Sequence, residues 1–197
     1  MPDAAAAEAA SVAVLSLLAA EEVAGVLIGG YAVNVYVPPR FSVDCDLVVL
    51  GGLATLEAAL AKEGFVPAAG GAVPDGSYVR YVREKEAVSF DLLVKSVLDR
   101  ATGISFEAGL FEKYARNRTT VGRVNPIRID LTVADPELLF AMKFVSGRRQ
   151  DVRDLFMLSG ERLDWGVVGT LLRRKCTPEL IRSRAAAIGG SIGASQY

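Results

Sequence analysis

The spacing of hydrophobic residues along the chain predicts alternating strands and helices. Alternating or short continuous apolar runs, typical of strands, cover residues 26–28, 43–50, 78–83, 87–94, 119–124 and 127–133. Helical spacing or composition covers residues 4–23, 31–37, 53–62 and 106–116, with three or four further helices between Asp135 and about residue 187. The pattern predicts an α/β (α+β) fold, in which a mixed sheet flanked by helices is followed by a helical C-terminal part.

Glycine, proline and small polar residues mark where these elements end. The segment Gly70–Gly76 predicts a turn-rich hairpin region, and Asp135-Pro136-Glu137 is a strong helix start, with an N-cap acid and a proline at the first helical position. The tail Gly189–Tyr197 is small and polar and is expected to fray. No linker separates independent domains, so we expect a core over residues 1–133 with a helical part, residues 134–197, packed on it.

Charge is unevenly distributed along the chain, although the net charge is −1. Residues 1–110 carry 7 Lys and Arg against 14 Asp and Glu, whereas residues 111–184 carry 15 against 9. An acidic half facing a basic half suits a cleft that holds a metal on one wall and phosphates on the other. Chance unevenness is the plain alternative.

The scarce residue types exclude whole classes of site. The chain has no histidine and two cysteines, Cys45 and Cys176, without metal-ligand spacing. A Ser-His-Asp triad, a Cys-His pair and a histidine-bound zinc ion are therefore excluded. Lone cysteines fit a reducing cytoplasm. The apolar run Ala9–Ala20 is about half the length that a membrane span needs, so we expect a cytoplasmic protein without a membrane partner.

The sharpest chemical pattern is the pair Asp44 and Asp46 at the start of the predicted strand Val43–Leu50. Residues two apart share a face of a strand, so both carboxylates point one way and Cys45 points the other. Adjacent carboxylates repel each other unless a cation or a proton lies between them. The pair favours a metal site, although alone it equally describes a solvated strand entrance.

A third carboxylate, Asp91, interrupts the apolar strand 87–94. If this strand lies beside that of Asp44 and Asp46, three carboxylates converge; otherwise Asp91 is an edge residue touching water. Three carboxylates suit Mg²⁺, which prefers oxygen ligands. Two such ions can grip a triphosphate and activate an attacking hydroxyl. We predict Asp44, Asp46 and Asp91 as catalytic metal ligands for two magnesium ions.

The pair Gly29-Gly30 lies between the strand 26–28 and the helix 31–37. Glycines let backbone amides approach a ligand without side-chain obstruction, and a helix N-terminus favours phosphate. We expect a nucleotide contact here, whereas a glycine pair standing alone would indicate a tight turn.

Together these residues resemble the signature of the nucleotidyltransferase superfamily that includes DNA polymerase beta. That signature is a glycine pair, a spacer and alternating polar positions ending in two aspartates: Gly29-Gly30, nine residues, then Arg40-x-Ser42-x-Asp44-x-Asp46. The later strand aspartate completes it. The resemblance implies a nucleotidyltransferase sheet, Mg²⁺ as cofactor, a nucleoside triphosphate (NTP) as co-substrate, and nucleotide contacts from Arg40 and Ser42.

A downstream motif resembles that of the abortive-infection type II toxin-like nucleotidyltransferases, the toxin halves of certain toxin–antitoxin systems. It reads Lys143-x4-Arg148-x2-Asp151-x2-Asp154-Leu155. The resemblance implies that Lys143 and Arg148 reach the triphosphate, as a point charge and a planar fork, while Asp151 and Asp154 orient these cations or the acceptor. A solvated, salt-bridged helix face is the alternative for the charges after Gly147.

One position departs from the toxin-like family, which has a basic residue just before the first downstream aspartate where this chain has Gln150. The resemblance, over roughly residues 25–160, implies transfer of a nucleoside monophosphate to a hydroxyl. The acceptor it implies is an RNA end, such as that of a tRNA, and the partner an antitoxin protein. Two alternatives stay open: a small-molecule adenylyltransferase of the antibiotic-resistance kind, with an acidic pocket, and a non-catalytic nucleotide-binding or regulatory protein.

Overall fold

The computed structural model describes residues 9, 12–16, 19, 23–38, 40, 42, 44–73, 75–85, 88–121 and 128–194. The strands are β1 Ala24–Ile28, β2 Asp44–Gly51, β3 Val66–Ala72, β4 Tyr78–Arg83, β5 Val88–Val94, β6 Ser96–Asp99, β7 Ile104–Glu107, β8 Ala115–Val121 and β9 Arg128–Ala134. The helices are α1 Gly29–Tyr36, α2 Leu53–Lys62, α3 Ala108–Lys113, α4 Pro136–Ser146, α5 Arg149–Ser159, α6 Trp165–Lys175 and α7 Pro178–Ala194.

Seven strands form one mixed sheet in the order β3-β4-β5-β2-β1-β9-β8. The pairs β2–β5 and β1–β9 are parallel, and the other neighbours in this sheet are antiparallel. Strands β6 and β7 form a separate antiparallel hairpin. The predicted mixed sheet flanked by helices is confirmed.

One hydrophobic core joins the sheet to the helices on both sides of it. Strand β2 is buried from Leu47 to Val49 because helices cover both of its faces there, whereas its first residues, with Asp44 and Asp46, lie at the rim. From α4 onward the described chain is helical, and Leu138 and Leu155 belong to the same core as the strands. The core therefore fixes the helical C-terminal part against the rim of the sheet.

The predicted helix over 106–116 is wrong at both ends. Residues 104–107 form β7, which pairs with β6 from Ser96↔Glu107 to Asp99↔Ile104, and only Ala108–Lys113 is helical before β8 begins at Ala115. Strand pairing overrides the local helical spacing here. The backbone N–H and C=O groups on either side of α3 form hydrogen bonds with β6 and β9 instead of within a longer helix. The hairpin strand β6 was missed altogether by the hydrophobic pattern.

Two further predictions need correction. The predicted hairpin is present, since β3 and β4 pair antiparallel, but its connection begins only after Ala72, so Gly70 and Gly71 lie inside β3. Gly70 has φ 68° and the register with β4 shifts between Pro67 and Ala72; a bulge uses glycine's access to positive φ. Residues 189–194 continue α7 instead of fraying, because glycine lowers helix stability without breaking a helix as proline does. Of the predicted helix 4–23, residues 9, 12–16 and 19 are helical and Val23 is not, while its other residues, like 122–127 and 195–197, lie outside the described residues. Among those described, no helix is long and apolar enough to cross a membrane.

Candidate active site

Strand register brings the three predicted aspartates together at the rim of the sheet. In the parallel pair β2–β5, Asp46 is the direct neighbour of Asp91, and Asp44 is the neighbour of Ser89. Side chains two apart on β2 share a face, and paired positions on adjacent strands share it too. The carboxylates of Asp44, Asp46 and Asp91 therefore project from one face, while Cys45 is buried on the other.

An arginine from β4 lies among these carboxylates. Arg80 Nη2 is 2.8 Å from Asp44 Oδ1, and Arg80 Nε is 2.9 Å from Asp91 Oδ1. Two hydroxyls also donate to the same acids: Ser89 Oγ to Asp44 Oδ1 at 2.6 Å and Tyr78 OH to Asp91 Oδ1 at 2.8 Å. Asp44 and Asp91 are thus held from β4 and β5 by one cation and two neutral donors.

Negative charge at this rim is only partly compensated. Burial, together with the charges of Asp91 and Asp44, raises the pKa of Asp46 to about 7, against the opposing effect of Lys143 and Arg148. Burial also raises the pKa of Asp91, although Tyr78 and Arg80 counter it. A carboxylate whose pKa is raised this far gains from a nearby cation, since the cation restores its charged form.

The glycine pair lies directly against the acidic rim. Gly29 has φ 66°, and a Cβ built on it would lie 1.9 Å from Asp46 Oδ2. A Cβ on Gly30 would lie 2.9 Å from both Arg40 Nη2 and Ser42 Oγ. Because α1 begins at Gly29, the first amides of the helix, which have no partner within the helix, face the space beside Asp46.

A network of ion pairs around two buried aspartates lies beside the glycine pair, where Arg40 approaches Gly30. Lys143 Nζ on α4 is 2.7 Å from Asp154 Oδ2 and 3.1 Å from Asp151 Oδ1. Arg40 binds Asp154 with two hydrogen bonds of 2.8 Å, and Arg148 Nε lies 3.0 Å from Asp151 Oδ2. Three cations meet two carboxylates, so this network keeps an excess positive charge.

The two carboxylates of the network stay ionised. Burial alone raises the pKa of Asp151, but Lys143 and Arg148 outweigh burial and lower it. Burial likewise opposes ionisation of Asp154, and its bonds with Arg40 and Lys143 lower its pKa. Asp151 also accepts the backbone N–H of Arg148 at 3.2 Å, which caps the start of α5. Both aspartates bind cations of the network, and their predicted role in orienting those cations or the acceptor stays a prediction.

Backbone contacts fix Arg40 in place. Asn34 on α1 donates to the carbonyl oxygen of Arg40 at 2.7 Å and accepts from the N–H of Arg40 at 2.9 Å. Ser42 donates to the carbonyl oxygen of Asp44 at 3.2 Å. The loop after α1 thus ties the glycine pair, the first aspartate and the buried network into one unit.

A cavity of about 550 Å³ opens between the acidic rim and the helical part. Gly29 and Asp46 line one side, and Lys143 and Arg148 line the other. The rest of its lining comes mainly from the segment between β3 and β4, the β6–β7 hairpin and α4. Apolar residues there, Val97, Leu98, Phe106, Leu139 and Met142, lie beside the charged residues Asp75, Asp99 and Arg100. Lys143 therefore lies beside the acidic rim with only 8% of its side chain exposed, and not in bulk solvent.

The donor set at the rim suits a hard divalent cation by its chemistry and strand register. Carboxylate oxygens are the ligands that Mg²⁺ prefers, and Asp46 and Asp91 occupy adjacent strand positions. Across the described residues, however, no three acidic or cysteine side chains already form a metal cage. Arg80 contacts oxygens of both Asp44 and Asp91 instead.

Several solved structures of other proteins share the architecture of this chain. Solved structures with the same arrangement include the antibiotic-resistance factor ANT(2'')-Ia (15% identity, 95% of this chain and 97% of that chain, TM-score 0.60). A complex of ANT(2'')-Ia with adenylyl-2''-tobramycin also matches (14% identity, 90% and 98% of the chains, TM-score 0.58). So does the lincomycin-bound lincosamide antibiotic adenylyltransferase LnuA (17% identity, 77% and 95%, TM-score 0.54). The chain has the nucleotidyltransferase fold. No protein-family model and no curated protein matches the sequence.

Two polar residues at the rim, Arg80 and Ser89, were missed by the sequence analysis. Their signal is weak but real: Tyr78 and Arg80 alternate along β4, and Ser89 alternates with Asp91 along β5. In paired strands these positions share a face, so polar residues there have to meet. Only the β4–β5 register, in which Arg80 is opposite Asp91, reveals that they meet the catalytic candidates.

Proposed function

We propose that this protein is a magnesium-dependent nucleotidyltransferase that transfers a nucleoside monophosphate from an NTP to a hydroxyl. The observation that carries the proposal is that Asp46, with Asp91 beside it on the adjacent strand, lines the same cavity as the cations Lys143 and Arg148. The shared fold supports it.

In this proposal Asp44, Asp46 and Asp91 hold two Mg²⁺ ions, which would neutralise phosphate charge and lower the pKa of the acceptor hydroxyl. The first amides of α1 and the cations Lys143 and Arg148 bind the triphosphate. The hydroxyl oxygen attacks the α-phosphorus while the bond to the β-phosphate oxygen breaks. Pyrophosphate leaves, and a carboxylate of the rim takes up the hydroxyl proton.

For the acceptor we propose an RNA end, in line with the toxin-like motif at Lys143–Leu155, with an antitoxin as protein partner. Basic side chains near the site support a polyanion: Arg116 and Arg118 on β8 are half exposed, 54% and 43%. Strand β8 continues the sheet beside β9, and Arg116 is paired with Val133, which in turn neighbours Leu27 at the end of β1. Asp135 partly offsets these two charges.

A small-molecule acceptor is the second candidate, and a specific observation favours it. The cavity has the size of a pocket for a small ligand, and Asp75 and Asp99 line it beside apolar residues. Such acids would bind a cationic acceptor, as in an antibiotic adenylyltransferase. A non-catalytic nucleotide-binding or regulatory role is the third reading, and its expected mark, loss of a rim aspartate, is absent, since all three are present.

A single assay separates these candidates. The protein is incubated with Mg²⁺ and each α-³²P-labelled NTP, with either total cellular RNA or a panel of aminoglycosides and lincosamides. Label on RNA, resolved on a gel, supports the first proposal, and label on a small molecule, resolved by thin-layer chromatography, supports the second. If neither acceptor is labelled while the NTP still binds in calorimetry, the non-catalytic reading is left. Asp46→Asn is the blank in each arm.

A further inference from the structure

Arg80 contacts the acidic rim directly, whereas Lys143 and Arg148 form ion pairs with Asp151 and Asp154. Its guanidinium bridges Asp44 and Asp91, with a further hydrogen bond from Nη2 to Ser89 Oγ at 3.1 Å. These are the two acids that a metal ion would need in addition to Asp46. Arg80 thus competes for the same oxygens as the proposed metal.

We propose that Arg80 is a displaceable counter-ion, which holds Asp44 and Asp91 while no divalent cation is bound and leaves them when one binds. The inference rests on the proposed function, since it concerns the magnesium site assigned there. It adds a residue outside the motif and gives that residue a positioning role in metal binding.

The partners of the two acids are of two kinds, and only one kind is compatible with a metal ion. Ser89 Oγ and Tyr78 OH are neutral donors, each bound to one acid, and a carboxylate oxygen that accepts such a bond keeps lone pairs for a metal ion. The guanidinium carries a positive charge, and a divalent cation within a few ångströms would repel it. Ser89 and Tyr78 can therefore stay and keep the acids oriented while Arg80 leaves.

The position of Arg80 suits departure. Its side chain is 37% exposed, and that of Asp44 is 48% exposed, so water reaches both ends of the ion pair. Its Nε–H is buried at an ion-pair distance from Asp91 yet has no hydrogen-bond acceptor within the described chain. The exposed pair with Asp44 contributes little free energy, and at Asp91, which is 13% exposed, the hydrogen bond from Arg80 is a long one of 3.3 Å from Nη2 to Oδ2. The ion pairs of Arg80 therefore order Asp44 and Asp91 in the metal-free protein but can break when a divalent cation competes for the same oxygens.

The test is Mn²⁺ binding to the metal-free full-length protein by titration calorimetry, with the thermal midpoint measured in EDTA. Arg80→Met removes the competing charge, so we expect about tenfold tighter Mn²⁺ binding, which corresponds to about 1.4 kcal/mol of displaced ion-pair free energy. Its midpoint in EDTA should fall, because Asp44 and Asp91 then repel each other, and Mn²⁺ should raise that midpoint by more than in the wild type.

Three further variants keep the result interpretable. Arg83→Met, on the same strand, alters a guanidinium 5.9 Å from the Phe65 ring and should leave Mn²⁺ affinity unchanged. Arg80→Lys keeps the charge but cannot bridge both acids, so its affinity should lie between wild type and Arg80→Met. Ser89→Ala loses a neutral donor that stays in place, so Mn²⁺ affinity should fall, opposite in sign to Arg80→Met.

The outcomes separate this inference from the proposed function. If the wild type binds Mn²⁺ and both Arg80 variants bind it equally or more weakly, Arg80 is a fixed part of the metal site; the displacement is then overturned while the proposed function stands. If no variant, wild type included, binds Mn²⁺ with or without an NTP, the metal site itself is absent. The proposed function then fails, and the displacement fails with it.

Discussion

Gly29 and Asp46 approach so closely that no side chain fits between them: a Cβ on Gly29 would lie 1.9 Å from Asp46 Oδ2. The glycine is also needed for its backbone, since its φ is 66°. The backbone of Gly29 and the carboxylate of Asp46 thus lie against each other where β1 ends and α1 begins. The glycine requirement in the motif has a direct physical cause in the position of a candidate metal ligand.

Gly29→Ala should therefore damage the site more than the fold. The methyl group would push the Asp46 carboxylate away from Asp91, so we expect Mn²⁺ and NTP binding in calorimetry to fall at least tenfold. Gly64→Ala is the matched control, because Gly64 has φ 79° and open space around its Cβ. Both variants should lose on the order of 1 kcal/mol of stability from the left-handed backbone. Equal ligand binding in the two would show that Gly29 serves only the turn.

Asp46→Asn should abolish nucleotide transfer and stabilise the metal-free protein at alkaline pH. Burial raises the folded-state pKa of Asp46 to about 7, well above that of a free aspartate, so its contribution to stability is fully present below about pH 4 and is lost as pH rises through about 7. At pH 8 in EDTA the variant should be more stable than wild type by on the order of 1 to 3 kcal/mol, since residual solvent contact reduces the full effect.

The measurement is urea unfolding of wild type and Asp46→Asn at pH 5 and pH 8. The difference between the two proteins should grow with pH. A constant difference, or wild-type turnover in the variant, would contradict the assignment of Asp46 as a buried metal ligand.

Sequence spacing was sufficient to predict which aspartates lie at the rim of the sheet, but not which residues surround them. Asp44 and Asp46 could be placed on one face from the two-residue period alone, but whether the strand of Asp91 lies beside theirs stayed open until the β2–β5 register was known. Arg80 could not be placed there, because its role depends on the register of β4 against β5. The strand β6 was lost for a similar reason: four residues carry too little pattern, and only pairing with β7 defines them.

The sequence identified the charged residues of the downstream motif but not how they pair with one another. Lys143 was expected to reach a triphosphate, and the structure shows its ammonium already paired with Asp151 and Asp154. Periodicity placed Lys143 on an apolar helix, but the partners come from the next helix after a turn at Gly147, and spacing alone does not give the angle between two helices.

Lys143→Met should destabilise the protein strongly as well as weaken triphosphate binding. It leaves two carboxylates that are at most 2% exposed with one cation each, and breaking a buried pair costs about 3 to 5 kcal/mol. Arg182→Met, which breaks an exposed pair with Glu179 on α7, is the control and should cost less than about 0.5 kcal/mol. Both values come from urea unfolding at pH 7, with NTP affinity measured on folded protein.

Asp154→Asn should make the stability of the protein less dependent on pH in the acid range. The pKa of Asp154 is lowered in the folded state because its bonds with Arg40 and Lys143 outweigh burial. A depressed pKa contributes stability above the unfolded-state value of about 4 and loses it as pH falls through the lower folded value. Wild type should therefore lose stability steeply below pH 4, and Asp154→Asn, already weaker at pH 7, should lose less over the same range.

Urea midpoints at pH 6, 4 and 3 measure this, and Asp164→Asn is the matched control. Asp164 is an exposed aspartate that caps α6 through Gly166 N–H and Val167 N–H. Asparagine keeps the accepting oxygen and caps helices about as well, so the variant should lose less than about 0.5 kcal/mol and keep the steep acid loss of the wild type. If Asp154→Asn and wild type lost stability in parallel below pH 4, the carboxylate of Asp154 would not be the ionised centre of the network. Arg40 and Lys143 would then be held in place by something other than its charge.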